Sequence, residues 1–281
     1  MPILDLRDVR LFYTDDPPDD RPGPGWLGVP TLLVHGWLGT SDGWIHQLPA
    51  LRRRCRAVAV DLRGHGASQA PDSRYDAAEF VDDLARLLTR LKMGPVVVLG
   101  HSMGASLASV LAVEHPGLVA ALALVDPDYG GAVEEGGRLR EIARQPDPER
   151  LAHEVADLVA DGVDAATGPA HLRSWHQREI ARTPAFVVTR SLRQNLDAPS
   201  SIRFLEAADP LLARRRQPVL ALHRNPHRAA LERSHALPST RVVDVPHGGH
   251  WIHQEHPELV DRELEAWLTT LPPASQPPTS G

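Results

Sequence analysis

The sequence predicts an α/β protein: a mostly parallel, eight-stranded sheet with helices on both faces and a helical insertion between two of its strands. Three observations carry this. Short apolar, β-branched runs alternate with longer amphipathic stretches, the pattern of strand–helix–strand units. One alternation, Pro95-Val96-Val97-Val98-Leu99 followed by Gly100-His101-Ser102-Met103-Gly104 and a helix-forming run to Ala112, reads as a strand reversing sharply into a helix. Residues 130–212 lose the strand rhythm and read as helices alone.

Ile3 to Leu6 and Val9 to Tyr13 are two short strands forming a hairpin, and Asp15 to Gly28, rich in Pro, Gly and Asp, is a mobile loop. Thr31-Leu32-Leu33-Val34 is a buried strand ending in His35-Gly36-Trp37, with a helix from Gly43 to Arg53. Ala57 to Val60 is a strand closed by Asp61-Leu62-Arg63-Gly64-His65-Gly66. Ala77 to Leu91 carries Phe80, Leu84, Leu87, Leu88 and Leu91 at helical spacing. After the elbow come a strand over Ala120–Val125 and then four amphipathic helices, over Gly137–Arg144, Pro148–Ala160, Ala170–Arg182 and Ala185–Asn195. The rhythm resumes with strands at Pro218–Leu222 and Arg241–Val245, a helix over Arg228–Ala236 between them, and a last helix over Pro257–Thr270. The organisation expected is a core of 1–129 and 213–271, a helical cap of 130–212, and a disordered Pro/Ser-rich tail over 272–281.

A chain of 281 residues, 42% hydrophobic, is ample for one large core plus an inserted lid. A net charge of −6, with Arg52–Arg54 and Arg214–Arg216 as short solvated runs, disfavours nucleic-acid binding. Cys55 is the only cysteine, which excludes an internal disulfide and reads as a packed residue. The N-terminus lacks a basic and long apolar leader, and no apolar run reaches the ~18 residues of a membrane span, so a soluble cytoplasmic protein is expected. The partner expected is a small-molecule substrate, with no nucleic acid and no membrane. The sequence names no oligomeric interface and leaves a homodimer open.

The elbow carries the chemistry. Glycines on both sides of Ser102 let backbones pass closely, and its hydroxyl would stand exposed at a helix N-terminus. A serine needs a base, a group orienting that base, and donors for the oxyanion. His250, in the Gly-rich loop after the last strand, is the base expected. The backbone N–H of Met103 and that of Trp37 are the oxyanion donors expected.

With His35-Gly36-Trp37, Asp61 to Gly66, Gly100 to Gly104 and Gly249-His250 in this order, the chain resembles an α/β-hydrolase with a helical cap over roughly 3–130 and 215–270. The resemblance implies a Ser–acid–His triad, no cofactor, and an acyl-enzyme route for ester-type substrates. The chain departs from the common pattern at the acid. Family members mostly carry it after the seventh strand, where this chain has His223-Arg224-Asn225-Pro226-His227-Arg228 and no carboxylate. Some branches place it after strand six, which gives Asp126 as the acid expected and Asp128 as the alternative.

Other polar residues read as support: His35 for the oxyanion loop, Asp61 and Arg63 for the loop after their strand, His65 and His101 as structural. His247, His250, His253 and His256 recur every three residues, but such spacing in a loop does not build a ligand set, so no metal is expected. Trp37, Met103 and Trp251 adjoin motif residues and are expected to touch substrate. Trp175, His176, Phe186 and Phe204 of the cap are candidates to line the pocket, though residues of this kind are more often simply cap core. The leading expectation is a serine hydrolase of an ester or lactone with a largely apolar substrate. A carbon–carbon bond hydrolase of the ring-cleavage-product type and a non-catalytic ligand-binding homologue are the alternatives.

Overall fold

A computed structural model describes residues 2–16, 29–159 and 169–271. Eight strands run in the order β1-β2-β4-β3-β5-β6-β7-β8. β1 (Ile3–Asp5) and β2 (Arg10–Asp16) form the expected hairpin, and β2 joins β4 (Ala57–Val60) antiparallel. From β4 onward every pairing is parallel, through β3 (Thr31–Val34), β5 (Val96–His101), β6 (Val119–Val125), β7 (Val219–His223) and β8 (Arg241–Asp244).

Strands β3, β4, β5 and β7 are buried at every position, and largely apolar, because both of their faces are covered. Leu32, Val34, Val58, Val60, Val98 and Leu122 face one core, shared with α2 (Ala77–Arg90) and α3 (Met103–Glu114). The alternate residues Leu33, Ala59, Val97, Leu99, Ala123 and Leu220 face a second core with Trp267 of α11 (Pro257–Leu268). Each fully buried Val or Leu is worth roughly 1.5–3 kcal/mol.

A third apolar cluster stands apart. It joins Ile142 of α4 (Gly137–Ala143), Leu151 and Val155 of α5 (Pro148–Leu158), Ile180 of α6 (Ala170–Arg182), and Val188 and Leu192 of α7 (Ala185–Asp197). Leu38, from the loop after β3, is its anchor on the sheet side. These helices, inserted between β6 and β7, are the cap of the fold. Two side-chain hydrogen bonds tie it to the same loop: Trp37 Nε1–H to Ser191 Oγ at 2.8 Å, and Thr40 Oγ1–H to Glu179 Oε1 at 2.6 Å.

Several expectations need correction. The helix expected over 43–53 is split into a 3₁₀ turn (Ser41–Trp44) and a short α1 (Leu48–Arg52), with Pro49 in its opening turn. Asp15 and Asp16 belong to β2, not to the following loop, and Asp15 pairs with Arg56 at 2.6 Å. The remainder of that loop and the tail lie outside the described residues. α8 (Leu205–Leu212) was hidden by Pro210 within it, and the four-residue α10 (Ile252–Glu255) by its shortness. Arg215 is not solvated: it is buried in an ion pair with Glu232 of α9 (Pro226–Ser234), beside the Tyr129 hydroxyl and Ser109. Cys55 is buried against Thr31, as a packed residue should be.

Register explains where the site lies. His101 pairs with Val125, Val125 with Leu222, and His223 with Asp244. Ser102, Asp126 and Arg224 therefore leave the sheet side by side at its carboxyl edge, where open α/β sheets bind ligands.

Candidate active site

Ser102 leaves β5 with φ 51° and ψ −118°, a conformation rare outside glycine. The turn is possible because its neighbours lack side chains. A Cβ on Gly104 would lie 2.3 Å from the Val34 carbonyl, and one on Gly100 would lie 2.6 Å from the Gly104 carbonyl. Asp126 also sits at positive φ, 41°, as the first residue past β6.

These turns bring three side chains into line. Ser102 Oγ–H donates to His250 Nε2 at 2.8 Å, and His250 Nδ1–H donates to Asp126 Oδ2 at 2.7 Å. The loop bearing His250 is held from two sides. Glu255 accepts the Gly249 N–H at 2.6 Å, and His101 Nε2–H donates to the His250 carbonyl at 2.8 Å. Asp126 is almost wholly buried and also accepts the Arg224 N–H at 3.2 Å and its Nε–H at 2.8 Å. Burial pushes its pKa up, but the His250 hydrogen bond and the Arg224 charge outweigh burial and hold it below the usual carboxylate value.

Asp128 is elsewhere. It pairs with Arg203, and with Arg228 at 3.5 Å. Burial raises its pKa, the two guanidinium groups lower it further, and the net shift is downward.

The loop after β3 is fixed by His35, which donates from Nδ1 to the Gly36 carbonyl at 2.7 Å and accepts the Leu62 N–H at Nε2 at 2.9 Å. Burial lowers its pKa to about 4. Asp61 receives the Ser41 and Ala67 N–H groups, and Arg63 forks onto Asp83 at 2.6 and 2.7 Å, so both hold the loop after β4. Met103 is the first residue of α3, and the N–H groups of a first turn have no partner within their helix.

A cavity of about 210 Å³ opens on Ser102 and His250. Trp37, Leu139, Leu158 and Ile180 form its apolar part. The rest is polar: His176, Glu179 and Gln254 on one side, and Arg203, Arg224, Arg228 and Asp128. Burial raises the pKa of Glu179.

A family model described as alpha/beta hydrolase fold matches residues 29–257, well over half of the chain. The chain belongs to the alpha/beta hydrolase fold family. Among solved structures, this α/β-hydrolase superposes on the enol-lactonase from Burkholderia xenovorans LB400 with a TM-score of 0.75, at 20% identity, covering 95% of this chain and 100% of that one. The 2-hydroxy-6-oxo-6-(2'-aminophenyl)hexa-2,4-dienoic acid hydrolase of Metapseudomonas resinovorans is 27% identical over 242 residues, 82% of this chain and 81% of that protein. The dihydrolipoyllysine-residue acetyltransferase component of the acetoin cleaving system of Pseudomonas putida is also 27% identical, over 264 residues. That match takes in 86% of this chain but only 64% of the length of that relative.

Not every residue expected in the pocket of this α/β-hydrolase reaches it. Trp37 and Trp251 line the cavity, as does His176, stacked on Trp251 at 3.9 Å. The Met103 side chain turns the other way, into a small gap with Tyr75 and Phe80. Trp175 is one residue, about 100° of helix, away from His176, and does not line the cavity. Phe186 packs edge-on to Tyr75 at a ring distance of 6.4 Å, and Phe204 packs on the cap cluster beneath the Arg140 guanidinium. The four regularly spaced histidines diverge: His247 and His256 are exposed, while His253 is buried against Trp44. No group able to hold a metal occurs among the described residues. No helix among them is long and apolar enough to cross a membrane. Among the charged residues of the cavity, the sequence did not single out Glu179, Arg203, Arg224 and Arg228. For Arg224 and Arg228 the signal was two cations in the segment after β7, where an acid was sought.

Proposed function

We propose that this chain is a serine hydrolase that cleaves an ester or lactone through an acyl-enzyme on Ser102. The observation that carries the reading is the continuous hydrogen-bonded line from Ser102 through His250 to Asp126, opening on a cavity. His250 Nε2 takes the hydroxyl proton as Ser102 Oγ attacks the carbonyl carbon. The carbonyl oxygen becomes an oxyanion, received by the backbone N–H groups of Met103 and Trp37. The imidazolium then gives its proton to the leaving alkoxide and the ester C–O bond breaks. Water, deprotonated by His250, attacks the acyl carbon, and the imidazolium returns that proton to Ser102 Oγ as the acyl C–Oγ bond breaks. Asp126 stays ionised throughout and steadies the imidazolium.

The test is covalent labelling. Wild-type protein treated with a fluorophosphonate is expected to gain one adduct on Ser102, and p-nitrophenyl butyrate turnover is expected to vanish in Ser102→Ala. A wild-type protein that never labels, and turns over no ester, would be the non-catalytic ligand-binding homologue instead. The similarity to the Metapseudomonas hydrolase, named for a dienoic acid, favours carbon–carbon bond cleavage as the second reading. Turnover of a vinylogous 1,5-diketone acid faster than any ester would select it.

A further inference from the structure

The cavity wall beside Ser102 carries three arginines, more than the Ser102–His250–Asp126 line requires. Arg203 and Arg228 share one carboxylate, Asp128, which lies outside that line. Arg224 uses its backbone N–H and Nε on Asp126, and among the described residues its two Nη groups have no hydrogen-bond partner. Its side chain is 41% exposed, and it lines the cavity. All three guanidinium groups thus reach the cavity wall, and the Nη groups of Arg224 are open to a ligand there. Asp126 is also the partner of His250, so Arg224 shares its carboxylate with the imidazole. The remaining acid of the cavity, Glu179, is on α6 and bonded to Thr40, and burial weakens its tendency to ionise.

We propose that Arg203, Arg224 and Arg228 bind a carboxylate of the substrate, so that the ester or lactone cleaved here carries a second, ionised carboxyl group near the scissile carbonyl. The inference rests on the serine hydrolase reading and names its substrate class. A guanidinium fork matches a carboxylate in two parallel N–H···O bonds, and a wall of arginines offers several such forks. The apolar part formed by Trp37, Leu139 and Ile180 then takes the carbon chain. A cavity of about 210 Å³ suits a small acid rather than a long acyl chain. The turn after β7, which lacks the family's usual acid, supplies two of the three cations.

The experiment compares mono-p-nitrophenyl glutarate, an anionic half-ester, with neutral p-nitrophenyl butyrate. Wild type is expected to favour the half-ester in kcat/KM by about tenfold or more, the worth of one hydrogen bond between charged groups. That ratio is expected to fall by about tenfold in Arg203→Gln and in Arg228→Gln. Calorimetry on Ser102→Ala needs no turnover: glutarate should bind at least about tenfold tighter than glutaramide or inorganic phosphate. Labelling of Ser102 by fluorophosphonate without any half-ester preference, and with glutarate binding no better than its diamide, overturns this inference and leaves the hydrolase reading standing. Phosphate binding as tightly as glutarate overturns the assignment to a carboxylate. Glutarate binding in a protein that neither labels nor turns over ester supports the anion site and sinks the hydrolase reading.

Discussion

Arg224 donates its Nε–H to Asp126 Oδ2 at 2.8 Å, the same oxygen that accepts the His250 N–H. One carboxylate oxygen thus serves the imidazole and a cation at once. The cation helps hold Asp126 ionised although it is buried.

Replacing Arg224 with Met is expected to raise the pKa of Asp126. A carboxylate with a depressed pKa keeps its contribution above that pKa and loses it as pH falls through it, so the acid limb of the kcat profile should move to higher pH. Turnover at neutral pH should fall by about ten- to a hundredfold, the range for one hydrogen bond to a charged group. Arg224→Lys should restore part of the limb's position. A profile that does not move would mean that Arg224 leaves Asp126 unaffected.

Asp126 and Asp128 are two residues apart, yet one touches His250 and the other pairs with two arginines. Asp126→Asn is expected to lose roughly a thousandfold or more in kcat, as when an aspartate that orients a catalytic histidine becomes an amide. Asp128→Asn should lose far less in kcat and act mainly on KM. Steady-state kinetics on one ester decides between them, and the reverse ranking would reassign the acid.

Gly104→Ala is expected to destabilise the fold by about 3 kcal/mol, the upper end for overpacked sites, because its Cβ would meet the Val34 carbonyl at 2.3 Å, a backbone atom that cannot swing away. Urea unfolding measures this, and a loss under about 1 kcal/mol would show that β3 can yield there.

His35 and His65 are buried neutral, with pKa values lowered to about 4 and about 3, first by desolvation. In the unfolded chain they titrate near 6.5. Their neutrality favours the folded state fully above pH ~6.5, and that advantage is lost as pH falls toward 4, by about 1.4 kcal/mol per pH unit for each histidine. Urea unfolding between pH 7 and 5 should follow this sign, and His65→Gln should flatten the slope by one proton's worth. A stability independent of pH across that interval would contradict it.

Much of the sheet could be read from the chain because buried parallel strands are continuous apolar runs, and the elbow because glycines flank Ser102 on both sides. Asp126 was singled out only through an absence, the missing carboxylate at 223–228. The charged wall was not legible: Arg203 precedes α8, Arg224 and Arg228 follow β7, and Asp128 follows β6, so only the fold assembles them. In the cap, helix rotation decides which residues face the cavity. His176, Glu179 and Ile180 share one face of α6 at i, i+3 and i+4 and line the cavity, whereas the larger Trp175 bonds the Glu179 carboxylate without lining it.

Ser102 and Asp126 both stand at positive φ at the ends of adjacent strands. Such conformations cost on the order of 1–3 kcal/mol each in a residue with a side chain. Selection for robustness alone would replace Ser102 with glycine, which adopts this geometry freely. An inactive chain of this kind would therefore outlast its active parent on heating. Screens of random variants for thermal survival should be enriched in loss-of-function changes at this turn, so any effort to harden the protein has to select for turnover at the same time.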